Sequence, residues 1–97
     1  MRAILVLDDE EKLRVSWVKH LRKKFESTEV IDFDSADKLI PYLPQMNPVP
    51  ELFILDINMP GANNGIDALK AIKTLYPGSK VFMFTSSDSA EDRTMCI

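Results

Sequence analysis

Short apolar runs alternate with amphipathic segments along this chain. Three of the runs are continuous, rich in branched or aromatic residues, and followed by a polar residue: residues 3–7, 52–55 and 81–84. Continuous hydrophobicity predicts strands that are covered on both faces, as in a parallel sheet between helices. Residues 29–33 instead alternate apolar and polar side chains, which predicts a fourth strand nearer the edge of the sheet.

The segments between the predicted strands have helical periodicity. Leu13, Trp17, Leu21 and Phe25 recur every four residues, which predicts an amphipathic helix from residue 9 or 10 to residue 25 with Trp17 in the core. A third helix is predicted over residues 65–76, where Pro77 and Gly78 stop it.

The second helix has a weaker pattern. Ser35 is a suitable N-cap for residues 36–43, although Pro41 removes a backbone donor inside the helix and Pro44 lies just beyond it. A fourth helix is expected to begin near Ser89 and to continue to the end of the sequence.

Strands and helices in strict alternation predict an α/β fold, because right-handed crossovers between parallel strands place helices on both sides of one sheet. We expect a doubly wound, flavodoxin-like sheet with the strand order 2-1-3-4, formed by a single domain over residues 1–97. In such sheets ligands bind at the carboxyl ends of strands 1 and 3, where the winding reverses.

Acidic residues stand at those two strand ends. Asp8 and Asp9 follow the first apolar run and Asp56 follows the third, so the topology brings three carboxylates together. Carboxylates within about 4–6 Å of one another repel by on the order of 3–4 kcal/mol per pair, which a cation or raised pKa values must relieve. An all-oxygen site suits Mg²⁺ or Mn²⁺. The alternative is that these residues only cap a helix and start a loop.

Composition narrows the classes of function. The 97 residues are 45% hydrophobic and 28% charged with a net charge of −3, which indicates one small globular core and no broad cationic surface for nucleic acid. Cys96 is the single cysteine, which excludes a disulfide framework and fits a cytoplasmic setting. No apolar stretch is long enough to span a membrane. His20, among basic residues of the first helix, is expected to be solvated or to face a partner.

Three blocks of sequence resemble those of response-regulator receiver domains, the CheY-like phosphoacceptor domains of two-component signalling. They are residues 5–10 (LVLDDE), residues 55–60 (LDINMP) with Gly65 beyond, and residues 82–86 (FMFTS). The resemblance implies that a sensor histidine kinase or phosphotransfer protein donates a phosphoryl group to this chain, and that phosphorylation changes its conformation.

The resemblance also implies a role for each matching residue. Asp56 would accept the phosphoryl group and bind Mg²⁺, Asp9 would bind the ion directly, and Asp8 would bind it through water. The backbone carbonyl of Asn58 would supply a further ligand, and Thr85 would hydrogen-bond the phosphoryl oxygens.

The sequence departs from the family pattern in two respects. Gly65 follows Asp56 by nine residues, one more than is usual, so the intervening loop is longer. The family's fifth strand, which ends in a lysine, and its fifth helix would lie beyond Ile97, so the domain is expected to be incomplete and phosphorylation to be slow. For the uncovered edge of strand 4 we expect either a homodimer, paired at that edge or swapped, or a longer parent protein of which this chain is a fragment.

Two other functions share part of this pattern. A phosphatase of the haloacid-dehalogenase type also forms an aspartyl phosphate, but its second aspartate would have to stand where Asn58 does. A pseudo-receiver, an interaction module that acts without phosphorylation, is the alternative that remains open.

Overall fold

The computed structural model of the chain describes residues 2–57, 61, 63–84 and 94–96, of which residues 2 and 94–96 are described by backbone alone. It contains one five-stranded sheet in the order β2-β1-β3-β4-β5. The strands are β1 (Arg2–Leu7), β2 (Thr28–Phe33), β3 (Leu52–Asp56), β4 (Lys80–Phe84) and β5 (Thr94–Cys96). The helices are α1 (Glu11–Lys24), α2 (Ala36–Tyr42) and α3 (Gly65–Leu75), with a 3-10 turn at Leu43–Gln45.

The first four strands are parallel, and their order, 2-1-3-4, is the predicted one. The alternating segment, β2, lies at one edge as its pattern indicated. The carboxyl ends of β1 and β3 are therefore neighbours at the centre of the sheet.

Each face of the sheet carries its own core. Leu5 and Leu7 belong to a cluster completed by α2 and α3, whereas Ile4 and Val6 belong to one completed by α1. Successive side chains of a strand point to opposite faces, so a strand that serves both clusters must be apolar throughout. Trp17 packs against the α1 cluster, in agreement with its predicted place in the core.

Capping residues fix where α2 and α3 begin. Ser35 Oγ accepts a hydrogen bond from the Lys38 backbone N–H at 3.1 Å, which makes Ser35 the N-cap of α2 as predicted. Asn64 caps α3 through a reciprocal pair of hydrogen bonds with Asp67. Pro41 lies inside α2, and the chain continues into the 3-10 turn after Tyr42.

The fifth strand corrects two predictions. Thr94–Cys96 form an antiparallel strand against Phe82–Phe84, so these residues are not helical, as the helix expected from Ser89 would require. The β4 edge that was expected to be free is thereby paired over three residues, and the prediction of association through an uncovered edge is wrong for that stretch. An open strand edge presents unpaired N–H and C=O groups, and here a later segment of the same chain pairs with them.

Within the described part of the chain, no helix has the length and apolar character needed to cross a membrane.

Candidate metal and phosphoacceptor site

Three carboxylates converge at the carboxyl edge of the sheet. Asp8 and Asp9 directly follow β1, Asp56 is the last residue of β3, and Leu7 pairs with Leu55 in the parallel register. One oxygen from each of the three lies within 4.8 Å of the others. Asp8 and Asp56 are fully buried and Asp9 is exposed, so the cluster has two interior members and one that faces solvent.

The backbone of Asp8 is held from two sides. Its N–H donates to the Phe33 carbonyl of β2 at 3.1 Å, and its carbonyl accepts from Arg14 Nη1 at 3.0 Å. Arg14 lies in the first turn of α1 and also donates from Nε to Asp32 Oδ2 at 3.0 Å. The β1–α1 turn is therefore tied to both β2 and α1, which fixes the place from which the Asp8 side chain projects.

One oxygen of the Asp8 carboxylate is satisfied within the protein and the other is not. Oδ1 accepts from the Glu10 N–H at 2.9 Å, whereas Oδ2 is buried without a hydrogen-bond partner. A buried carboxylate oxygen that lacks a donor carries an uncompensated desolvation cost. Such an atom is suited to a cation or to a proton.

The pKa of Asp8 is raised from 3.8 to about 6, and burial is the largest cause. The Glu10 N–H lowers the pKa, whereas the negative charges of Asp56 and Asp9 add to the rise. A hydrogen bond to Asp56, which protonated Asp8 can donate, acts in the same direction as burial. Above about pH 6 Asp8 loses its proton, and its negative charge then adds to that of the cluster.

The main chain of Asp56 is fixed by β4 and by the start of α3. Asp56 pairs with Phe84, and the Ile57 N–H donates to the Phe84 carbonyl at 2.8 Å. A Cβ atom on Gly65 would lie 2.1 Å from the Asp56 carbonyl oxygen, so only glycine allows α3 to approach this closely. The close approach holds the carboxyl end of β3 in place.

The donor set fits a hard divalent ion. Its three members offer carboxylate oxygens, and within the part of the chain that the structure describes no histidine or cysteine joins them. Mg²⁺ and Mn²⁺ prefer oxygen ligands. The buried carboxylates of Asp8 and Asp56 supply negative charge that such an ion would offset, and Asp8 Oδ2 has no hydrogen-bond partner. His20 is exposed on α1, in agreement with the prediction.

The proximity expected for Asp8, Asp9 and Asp56 is thus observed. Asn58 and Thr85, the other two residues predicted for the site, lie outside the described residues. Arg14 was not singled out from the sequence, where it is one of several basic residues of the first helix. Only the strand order and the helix phase place it over the Asp8 carbonyl.

Comparison with known proteins identifies the family. A model described as the response regulator receiver domain matches residues 4–97. The chain belongs to this family. One similar protein is the oxygen regulatory protein NreC of Staphylococcus carnosus, which is 28% identical over 88 residues. That alignment covers 91% of this chain and 40% of NreC, so the chain spans less than half the length of this relative.

Solved receiver domains have the same architecture. The response regulator TrrA of Thermotoga maritima, in complex with Mg²⁺ and beryllium fluoride, is 26% identical with a TM-score of 0.76, covering 94% of this chain and 75% of TrrA. RcsB of Salmonella enterica, bound to a promoter in the presence of phosphomimetic beryllium fluoride, is 25% identical with a TM-score of 0.74, covering 92% of this chain and 72% of that one. The CheY-like fold predicted from the sequence is confirmed.

Proposed function

We propose that this receiver domain is the phosphoacceptor of a cytoplasmic two-component system, with Asp56 as the residue that is phosphorylated. The observation that carries the proposal is the convergence of Asp8, Asp9 and Asp56 at the carboxyl edge of the sheet. The donor is the phosphohistidine of a sensor histidine kinase or a phosphotransfer protein.

The chemistry follows from the weakness of a carboxylate as a nucleophile, which requires an activated donor. An Asp56 oxygen attacks phosphorus, the new O–P bond replaces the P–N bond of phosphohistidine, and the donor's imidazole leaves. A bound Mg²⁺ would neutralise charge on the phosphoryl oxygens. Asp9 and Asp56 would hold the ion directly, Asp8 through water, and Asn58 through its backbone carbonyl.

The chain's own residues orient the acceptor. The Phe33 carbonyl and Arg14 fix the backbone of Asp8, and the approach of Gly65 fixes that of Asp56. Thr85, which follows β4, would donate a hydrogen bond to the phosphoryl oxygens and move toward them, which is how phosphorylation would alter the surface that partners contact.

The domain acts as a phosphoacceptor rather than as an enzyme that turns over a substrate. Asp56 is fully buried, and hydrolysis of its acyl phosphate requires a water molecule in line with the O–P bond. Self-phosphorylation from a small donor and self-dephosphorylation are therefore expected to be slow. We expect the 97 residues of this chain not to bind nucleic acid directly, because their net charge is −3.

Phosphorylation with acetyl phosphate tests the proposal. The protein is incubated with acetyl phosphate and Mg²⁺, and its intact mass is measured beside an aliquot treated with EDTA. We expect the mass of one phosphoryl group to be added only in the presence of Mg²⁺. Asp56→Asn should abolish the addition. Asp34→Asn should retain it, because Asp34 pairs with Lys38 in α2 at 2.9 Å rather than with the cluster.

Two results would contradict the proposal. One is the absence of any phosphoryl adduct on the wild-type protein when a known receiver is modified in parallel. The other is an adduct that persists in Asp56→Asn. The first result would favour the phosphorylation-independent interaction module, and the second would place the phosphoacceptor at another residue.

A further inference from the structure

An acidic residue of α2 contacts the loop that follows the proposed phosphoacceptor. Asp37 lies in the first turn of α2, and its Oδ1 accepts two hydrogen bonds from Asn63. The backbone N–H of Asn63 donates at 3.0 Å and its side-chain Nδ2 at 2.8 Å. Hydrogen bonds to a carboxylate are stronger than those between neutral groups, so this double contact is a specific attachment between α2 and the β3–α3 loop.

The second oxygen of Asp37 meets the same loop at Gly61. The φ angle of Gly61 is +114°, a conformation that side chains disfavour, and a Cβ atom there would lie 2.5 Å from Asp37 Oδ2. Gly61 therefore satisfies two conditions at once, since it adopts the left-handed backbone and leaves room for the carboxylate. One oxygen of the Asp37 side chain accepts the two hydrogen bonds from Asn63, and the other lies beside Gly61.

The contact with Asp37 lies between the two ends of the loop, Asp56 and Gly65. The loop leaves β3 at Asp56, and it ends where Gly65 packs against the Asp56 carbonyl. Gly65 follows Asp56 by nine residues, so this loop is one residue longer than the usual spacing noted above. A longer loop loses more conformational entropy when its path is fixed, and contacts from outside the loop offset that loss.

We propose that Asp37 is a positioning residue for the metal site: by fixing Gly61 and Asn63 it holds the start of α3 at Gly65, whose contact with the Asp56 carbonyl sets the position of the Asp56 carboxylate. The inference rests on the proposed function, because it requires that the ion binds. Asp37 acts through Asn63 and Gly61, and it does not belong to the acidic cluster of the site.

The first test compares Mg²⁺ affinity by isothermal titration calorimetry in matched variants. Asp37→Ala removes both acceptors, Asp37→Asn keeps one acceptor oxygen, and Asp34→Ala removes an equivalent charge that pairs with Lys38 at the same end of α2. We expect Asp37→Ala to weaken Mg²⁺ binding about threefold to tenfold, as the loss of a hydrogen-bond pair predicts. Asp37→Asn should recover most of the affinity, and Asp34→Ala should stay within about twofold of wild type.

The second test approaches the contact from the loop. Gly61→Ala should weaken Mg²⁺ binding in the wild-type protein, because the new methyl group displaces the Asp37 carboxylate. In the Asp37→Ala protein the same change should cost less affinity, since only the strain of the φ angle remains. A coupling of this kind identifies the Asp37–Gly61 contact rather than general damage to the loop.

A purely structural role would lower the free energy of unfolding in urea and leave the Mg²⁺ affinity of the folded protein unchanged. That result overturns the proposal, as does equal Mg²⁺ affinity in Asp37→Ala and Asp34→Ala. Failure of the proposed function is recognised separately, because the wild-type protein would then bind no Mg²⁺, and the positioning role would fall with it.

Discussion

Removing Mg²⁺ should make the stability of this receiver domain fall as the pH rises. Asp8 is fully buried, Oδ2 has no hydrogen-bond partner, and its pKa is about 6 against 3.8 for an ordinary aspartate. The folded metal-free protein therefore retains a proton on Asp8 at pH values where the unfolded chain has lost it. The favourable contribution is complete below the unfolded pKa, and it is lost as the pH rises through the folded pKa.

The size of the effect follows from the two pKa values. Their difference corresponds to about 3 kcal/mol at roughly 1.4 kcal/mol per pKa unit. Between about pH 5 and about pH 7.5 the linkage relation gives a decrease on the order of 1 kcal/mol, because the rest of the change falls below pH 5, where the unfolded chain loses its proton. Saturating Mg²⁺ should reverse the loss, by about 2.7 kcal/mol at a concentration 100 times the dissociation constant.

Urea denaturation in EDTA, repeated at several pH values, measures this decrease directly. Asp8→Asn is the matched variant, because the amide keeps an acceptor for the Glu10 N–H, carries no charge, and can donate a hydrogen bond to Asp56. We expect the variant to be more stable than wild type in EDTA at about pH 7.5, by roughly 1–3 kcal/mol. The free energy of unfolding of Asp8→Asn should also depend much less on pH than that of the wild-type protein, and Mg²⁺ should raise it much less.

A metal-free wild-type protein whose stability rises between these pH values would refute the reasoning, since it would mean that other groups outweigh Asp8. The reasoning also fails if Asp8→Asn shows the same decrease with pH as the wild-type protein.

Two further predictions concern the packing around the site. Gly65→Ala should lower the free energy of unfolding in urea by about 1–3 kcal/mol and slow phosphorylation, because its Cβ would overlap the Asp56 carbonyl oxygen. The control Gly78→Ala, whose Cβ meets no atom within 4 Å, should change it by no more than about 0.5 kcal/mol; equal effects of the two would contradict the account. Tyr76→Phe removes the hydroxyl that donates to the Leu43 carbonyl and should cost about 1–2 kcal/mol without altering Mg²⁺ affinity. A parallel loss of affinity would show that this hydrogen bond also supports the site.

Much of the fold could be predicted because one physical requirement shaped each segment. A strand that serves two cores must be apolar throughout, which made β1, β3 and β4 recognisable, and the alternation of β2 located the edge. The short strand Thr94–Cys96 could not be found in this way. Three residues are too few to show a period, and the pairing depends on an edge that exists only once the sheet has formed.

The residues of the site likewise differ in whether the sequence could predict their contacts. Asp8, Asp9 and Asp56 were predicted because parallel strands end at a common edge, so sequence position determines proximity there. The contacts of Arg14 and Asp37 were missed, since each joins segments that neither topology nor a local motif requires to meet. The close approach of α3 at Gly65 was likewise not evident, because a glycine after a turn-rich loop is usually explained by the turn alone.

Mn²⁺ titration followed by NMR tests the central claim most directly, because a paramagnetic ion broadens the signals of nearby nuclei. We expect the backbone amides of Asp8, Asp9 and Asp56 to broaden first, at amounts of Mn²⁺ below one equivalent. The amide of Thr28, at the opposite end of the sheet, should stay sharp, and Asp56→Asn should require far more Mn²⁺ for the same effect. Broadening that begins elsewhere, or that is unchanged by Asp56→Asn, would show that the three carboxylates do not form the ion site.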